Sequence, residues 1–140
     1  MNLKIQTNCE NINWDEVRNI IKTVGMTYVD TEIHRKSFEN SEIVIFIFDN
    51  DKLIGFGRAI SDGIRQASIY DVAVLPEYQG KSIGKLILEN IVNKLPSCNF
   101  ILYASPGKEG FYESLGFGKL STGMGLFGDM ERMKNRGFIK

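Results

Sequence analysis

The sequence predicts an α/β fold: a mixed, largely antiparallel sheet flanked by helices, with one parallel strand pair. Three observations predict it. Apolar runs at 42–48, 52–60 and 69–75 follow one another across short turns at 49–51 and 61–63, the spacing of an antiparallel meander. Segments 13–24 and 85–95 repeat apolar residues at helical spacing. The second of these lies between the run 69–75 and another apolar run, 100–104. A strand–helix–strand order of that kind sets its two strands parallel through a right-handed crossover.

At 140 residues, 43% hydrophobic and with nine phenylalanines, the chain is long enough for one domain with a real core and short for two. Residues 1–140 are therefore read as a single domain. Seventeen basic and seventeen acidic residues give no net charge, so nothing in the electrostatics points to nucleic acid or an anionic membrane as partner. No apolar run has the length of a membrane span, and the first residues lack the apolar core of a secretory signal. Cys9 and Cys98 stand apart, outside any metal-ligand spacing, and fit free thiols in a reducing cytoplasm. His34 is the only histidine, which argues against a His-built zinc site or a serine-protease triad. No metal is expected.

Taken in order, Leu3–Gln6 alternates as a short first strand. Asn13 suits a helix N-cap ahead of Trp14, Val17, Ile21 and Val24, with Glu16 placed to reach back and Gly25 to stop the helix. Asp30 or Thr31 can cap a second helix through Phe38, whose apolar side is thin. The loop between them carries Met26 and Tyr28, which suit packing, Tyr28 being also a candidate substrate contact. Run 42–48 is apolar without interruption, as in a strand covered on both faces. Run 52–60 returns with Gly55 and Gly57 inside it. Run 69–75 contains Asp71, and Pro76, with no amide hydrogen, ends the pairing. The helix after Gly84 buries Ile83, Ile87, Ile91 and Leu95, pairs Lys85 with Glu89, and stops at Pro96. Run 100–104 reads as a buried strand. Ser105, Pro106 and Gly116 suit the cap, first turn and stop of a short helix with Phe111, Tyr112 and Leu115 on its apolar side. The glycine-rich tail is expected to add one or two closing strands around 123–127, with 132–140 as surface or mobile structure.

The stretch 69–85 is the most informative. A strand, a proline break and a glycine-bearing loop open a helix, so unpaired backbone amides and the positive end of the helix dipole converge on one point. That is a site for a phosphate or pyrophosphate. Gly80-Lys81-Ser82 is like the end of a nucleoside-triphosphate loop, but the first glycine that motif needs is Leu75. The G-x-G-x-x-G dinucleotide pattern is absent, because three residues separate Gly80 from Gly84. Taken alone, the loop is also compatible with an ordinary strand-to-helix turn.

The stretch resembles the acetyl-coenzyme A loop of the GNAT superfamily of N-acetyltransferases, Q/R-x-x-G-x-G/A after a Val-x-Pro-like strand end. Gln79 fills the first position and Gly84 the last, while Ser82 replaces the central glycine. Serine disfavours positive φ, so the loop is expected to sit slightly differently on the pyrophosphate. Phe111-Tyr112-Glu113-Ser114-Leu115-Gly116-Phe117 resembles the later motif F/Y-Y-x-x-x-G-F, one strand further on. Two motifs in this order are more specific than either alone.

The resemblance implies a GNAT-type sheet and a direct transfer, without a covalent enzyme intermediate, of the acetyl group of acetyl-CoA to a primary amine. It implies that the backbone of Val72, Ala73 and Val74 holds the pantetheine arm, one amide polarising the acetyl oxygen. Gln79, Gly80, Lys81, Ser82, Ile83, Gly84 and Lys85 would bind the pyrophosphate. Tyr112 stands where the family places a general acid; its alternative role is a core aromatic, and Tyr103, in a strand expected to be buried, is a weaker substitute. Asp71 is a carboxylate in an apolar strand, facing away from Val72 and Val74. It can accept a proton through water, hold the amine, or serve as a structural hydrogen-bonding group. Glu32 and Glu42 are further candidate substrate contacts. A non-catalytic acyl-CoA-binding or regulatory module of the same fold is the rival reading, kept open by Ser82, and a homodimer is compatible with either.

Overall fold

In the computed structural model, which describes Met1–Lys140, the apolar runs become five strands lying side by side in chain order. They are β1 (Leu3–Gln6), β2 (Ile43–Asp49), β3 (Lys52–Ser61), β4 (Gln66–Val74) and β5 (Asn99–Ile101). β1 to β4 pair antiparallel, and β5 lies parallel to β4. The parallel pair exists because α3 (Ile83–Lys94) carries the chain from one strand to the other. These elements, with α1 (Trp14–Thr23) and α2 (Thr31–Glu39), make one compact unit, Met1–Leu102; Tyr103–Lys140 makes a second.

β2 is covered on both faces, with Val44, Ile45, Phe46 and Ile47 all buried. One face meets α1 and α2, where Phe38 packs on Phe46 and Phe56 with ring centroids 5.5 and 5.6 Å away, and Trp14 closes the cluster 5.6 Å from Phe38. The other face meets α3, which buries Ile83, Ile87, Leu88 and Ile91. Gly57 is what lets α3 lie so close. A Cβ there would stand 2.8 Å from Ile87 Cγ2 and 3.2 Å from Val72 Cγ2.

The predicted caps of α1 are present. Asn13 accepts from the Asp15 and Glu16 amides at 3.1 and 3.3 Å, and Gly25, at φ 82°, closes the far end while the Met26 amide reaches Ile21 O. Glu16 makes no return bond to the cap. α2 has no side-chain cap, but Thr31 Oγ1 donates to Asp15 Oδ1 at 2.8 Å and ties it to α1.

Three expectations need correction. The strand expected over 100–104 is only Asn99–Ile101, because its pairing with β4 stops at Ser68↔Ile101, and Tyr103 is exposed rather than buried in a strand. No strand forms around 123–127. Met124 and Leu126 are 99% and 94% exposed, and glycines at 123, 125 and 128 make an extended conformation entropically costly without a partner edge. The tail instead ends in α5 (Met130–Asn135), capped by Asp129 accepting from the Arg132 amide at 2.9 Å. The short helix α4 (Glu109–Ser114) also begins later than expected, because Ser105 opens a turn to Lys108 instead of capping the helix.

Candidate active site

The site begins with an irregularity in β4. Phe56 pairs with Ala73 and Arg58 with Tyr70, leaving Asp71 and Val72 opposite the single residue Gly57. This is a β-bulge, and Asp71 takes it at φ 56°, a left-handed conformation that aspartate tolerates better than most residues. The bulge bends β4, and its pairing with β5 covers only Gln66, Ala67 and Ser68. From 69 to 74 the outer edge of β4 has no strand beside it. Leu75 donates to Ile54 O at 2.9 Å, so its predecessor Val74 directs its backbone to the outer edge. Gln79 Nε2 donates to the Val74 carbonyl there at 2.9 Å.

The chain then turns through Pro76–Tyr78. Tyr78 fastens this turn to the end of β2 by donating its hydroxyl to Asp49 Oδ2 at 2.7 Å. The Asn2 amide and this hydroxyl hold the Asp49 carboxyl below its usual range, and Asp49 in turn pushes the Tyr78 phenol up. Gly80 and Ser82 follow at φ 78° and 65°, both left-handed. Ser82 thus takes the positive φ that serine disfavours and glycine adopts freely. The amides from 80 to 85 make no hydrogen bond of good geometry inside the protein; the first satisfied one is Leu86, on Ser82 O at 3.0 Å. Lys81 lies 5.5 Å from the Tyr78 ring with no carboxylate partner, and Lys85 is loosely paired with Glu89 at 3.8 Å. Free amides, a helix N-terminus and two lysines form a cradle for a multiply charged anion.

Asp71 is not alone. Arg58 Nε donates to its Oδ2 at 2.7 Å, with the two side chains 14% and 21% exposed. Arg58 also reaches Ser41 Oγ at 3.3 Å and lies over the rings of Phe38 and Tyr70. Oδ1 of Asp71 has no partner within the protein. Arg58 escaped the sequence reading, although one charge in an apolar strand opposite another charged, apolar strand is a legible signal. His34 also escaped it. This side chain is 4% exposed, its Nε2 accepts from the Val29 amide at 3.0 Å, and burial lowers its basicity while the nearby Asp71 charge partly restores it. Of the other candidates, Glu32 is engaged by Arg35 on the surface, and Tyr28 lies between Arg18 and Lys22, 4.9 and 5.3 Å from its ring. No hydrogen bond or ion pair engages the Glu42 side chain.

Tyr112 belongs to the second unit. α4 presents it, and the helix closes through the Gly116 amide on Glu113 O and the Phe117 amide on Tyr112 O, with Gly116 at φ 96°. The glycine and final phenylalanine of the motif are therefore the helix stop. The Tyr112 ring packs on Phe111 and Phe117, 5.0 and 5.8 Å away. Its hydroxyl makes no hydrogen bond yet is not sealed from the surface, and burial of the ring pushes the phenol above its ordinary value. In the same unit, Tyr103 packs on Phe127 and Phe138.

Comparison with known proteins places these features. The acetyltransferase (GNAT) domain model matches residues 10–124, across both units. The chain is 32% identical over 126 residues to an uncharacterized N-acetyltransferase of Pyropia yezoensis, covering 84% of this chain and 72% of that one. It is 31% identical over 127 residues to a protein named serotonin N-acetyltransferase 2, chloroplastic, of Oryza sativa subsp. japonica, covering 83% of this chain and 63% of that one. The crystal structure of a probable acetyltransferase from meticillin-resistant Staphylococcus aureus matches with a TM-score of 0.78 and 27% identity, over 89% of this chain and 97% of that one. Motif, sheet and relatives agree, and the chain belongs to the GNAT family of acetyltransferases.

Proposed function

We propose that the protein transfers the acetyl group of acetyl-CoA directly to a primary amine of a small molecule or peptide. The observation that carries this reading is the run of unsatisfied amides from 80 to 85 at the start of α3, beside the unpaired outer edge of β4. Gln79, Gly80, Lys81, Ser82, Ile83, Gly84 and Lys85 are suited to hold the pyrophosphate. The edge at Val72, Ala73 and Val74 is suited to bond an extended pantetheine arm as a strand would. Acetyl-CoA, when bound, supplies an activated acyl group with a thiol leaving group.

The protein's own groups then have three tasks. A backbone N–H of the β4 edge steadies the negative charge that grows on the acetyl oxygen. Asp71, with Oδ2 committed to Arg58, keeps Oδ1 for the incoming amine, to hold it or to take its proton through water. Tyr112 donates a proton to the departing sulfur; its burial favours the protonated phenol. Support for that role is the motif position and the family match across both units, which we take together as one acetyltransferase domain. Unpaired Cys9 and Cys98 support a reducing compartment such as the cytoplasm.

Thiol release from acetyl-CoA, followed with a panel of primary amines, tests the reading. Arylalkylamines come first, because one relative is named for serotonin. The expected result is amine-dependent thiol release with one acetyl group gained by the amine. Asp71→Asn should lower turnover with little change in acetyl-CoA affinity. Acetyl-CoA binding without turnover across the panel would contradict transfer and favour the non-catalytic module.

A further inference from the structure

We infer that Asp49, which lies outside both motifs, is a positioning residue for the coenzyme: it holds the Tyr78 hydroxyl and so fixes where the loop from Gln79 to Lys85 begins. The inference rests on the acetyl-CoA reading above and concerns the coenzyme, not the amine. The loop needs an anchor from outside. Its amides from 80 to 85 are free, Gly80 and Ser82 both hold positive φ, and the bonds beside it are local. The Tyr78 and Gln79 amides reach Leu75 O and Pro76 O at 2.9 and 3.2 Å, and Gln79 Nε2 reaches the Val74 carbonyl. From Pro76 to Ser82, two side chains bond residues distant in sequence. Glu77 meets Lys52 Nζ at 3.4 Å with both side chains exposed, a pair that contributes little. Tyr78, half-buried, donates to Asp49 Oδ2 at 2.7 Å across 29 positions of sequence.

The anchor is itself held. Asp49 sits in β2 opposite Leu3 of β1 on one side and Lys52 of β3 on the other. Its second oxygen, Oδ1, accepts the Asn2 amide at 3.0 Å, so the carboxylate is fixed at both oxygens. The Asn2 amide and the Tyr78 hydroxyl keep this carboxyl ionised, and Asp49 keeps the phenol protonated. Donor and acceptor therefore hold their roles throughout the neutral range.

The far end of the loop is fixed by Ile83, buried where α3 begins. Between the two fixed points lies Lys81, whose Nζ is 5.5 Å from the Tyr78 ring. Tyr78 thus sets both the path of the backbone and the place of this cation. A loop held at both ends loses less freedom when an anion binds, and that retained freedom appears as affinity. With the Asp49 tie cut, the same amides and lysine remain, but the ligand has to order them.

Calorimetric titration of acetyl-CoA into the parent, Tyr78→Phe, Asp49→Ala and the double variant tests the tie. Tyr78→Phe keeps the ring beside Lys81 and removes the bond alone. Kd for acetyl-CoA should rise about tenfold in each single variant, and the double variant should bind no more weakly than Asp49→Ala. At saturating acetyl-CoA, kcat should stay within about twofold of the parent. Asp49→Asn, whose amide oxygen still accepts the phenol, should bind within about threefold of the parent. In the free protein, NMR-detected exchange of the Tyr78 and Gln79 amides should quicken about fivefold in Tyr78→Phe, while the Leu86 amide keeps its protection. A folded Tyr78→Phe that binds acetyl-CoA as the parent does would overturn the inference, and so would losses that add in the double variant. A loss in Asp49→Asn equal to that in Asp49→Ala would overturn it too, because the charge and not the bond would then be responsible. A parent that binds no acetyl-CoA, although Tyr78→Phe loosens these amides, would count against the acetyl-CoA reading instead.

Discussion

Removing one oxygen atom from Tyr112 separates chemistry from packing. The ring keeps its neighbours Phe111 and Phe117 in Tyr112→Phe, and the absent hydroxyl breaks no hydrogen bond within the protein. General acid catalysis contributes about 10²–10⁴-fold, and we predict a loss of that order in kcat with acetyl-CoA affinity and Tm unchanged. Because burial raises the phenol's pKa above the ordinary value of about 10, the parent should show no alkaline loss of kcat from this group below that pH. A kcat within about twofold of the parent, with chemistry rate-limiting, would make Tyr112 a core aromatic. Ser82 is the second residue with a distinct expectation. It holds φ 65° without a side-chain cap bond, a conformation costing roughly 1–2 kcal/mol for an L-residue. Ser82→Gly relieves that strain at an entropic cost in the unfolded chain, so the net gain should be about 0–1 kcal/mol, read as a raised denaturation midpoint, with coenzyme affinity equal or tighter. The sequence identified Ser82 as the motif departure, and the structure gives it a positive φ that serine disfavours. The loop's anchoring at Leu86 and Tyr78 overrides the local preference of one residue.

At the scale of elements, α3 and the bulge of β4 depend on each other. Gly57 opposes the bulge on one strand and underlies Ile87 and Ile91 of the helix. Gly57→Ala would place its methyl 2.8 Å from Ile87 Cγ2, and a β-branched side chain has little freedom to yield. We predict a loss of about 1–3 kcal/mol in stability by urea denaturation, together with weaker acetyl-CoA binding because the loop at the head of α3 moves with the helix. Unchanged stability would mean that α3 lies looser on the sheet than described. Helix periodicity, the proline break and the Asn13 cap made these elements readable, because each is decided by local chemistry. The bulge was not readable. It arises from how Asp71 and Gly57 meet across two strands, and nothing in β4 alone announces a left-handed aspartate. The same holds for the length of β5, which is set by where β4 stops pairing, and for the tail, where the absence of a partner edge defeats an apolar run interrupted by glycine.

Across the whole molecule, the order of strands and the two motifs were legible because chain order and sheet order coincide from β1 to β5. The His34–Val29 bond was not, since no sequence pattern pairs a helix imidazole with a loop amide, and the Arg58–Asp71 pair was missed although a lone charge in each of two apolar strands signals it. The Arg58–Asp71 pair is nevertheless the interaction that fixes charge at the bulge. The central claim is that the loop from Gln79 to Lys85 is a pyrophosphate site belonging to an acetyl-CoA enzyme. Calorimetric titration of acetyl-CoA into the parent and into Gly84→Asp tests it most directly. Gly84 lies in the first turn of α3, where the helix dipole favours an acidic side chain, so the variant should fold with parental stability. Its carboxylate would stand among the amides meant for phosphate oxygens. We predict measurable binding by the parent and a loss of about tenfold or more in the variant. A folded Gly84→Asp that binds acetyl-CoA as tightly as the parent would contradict the account.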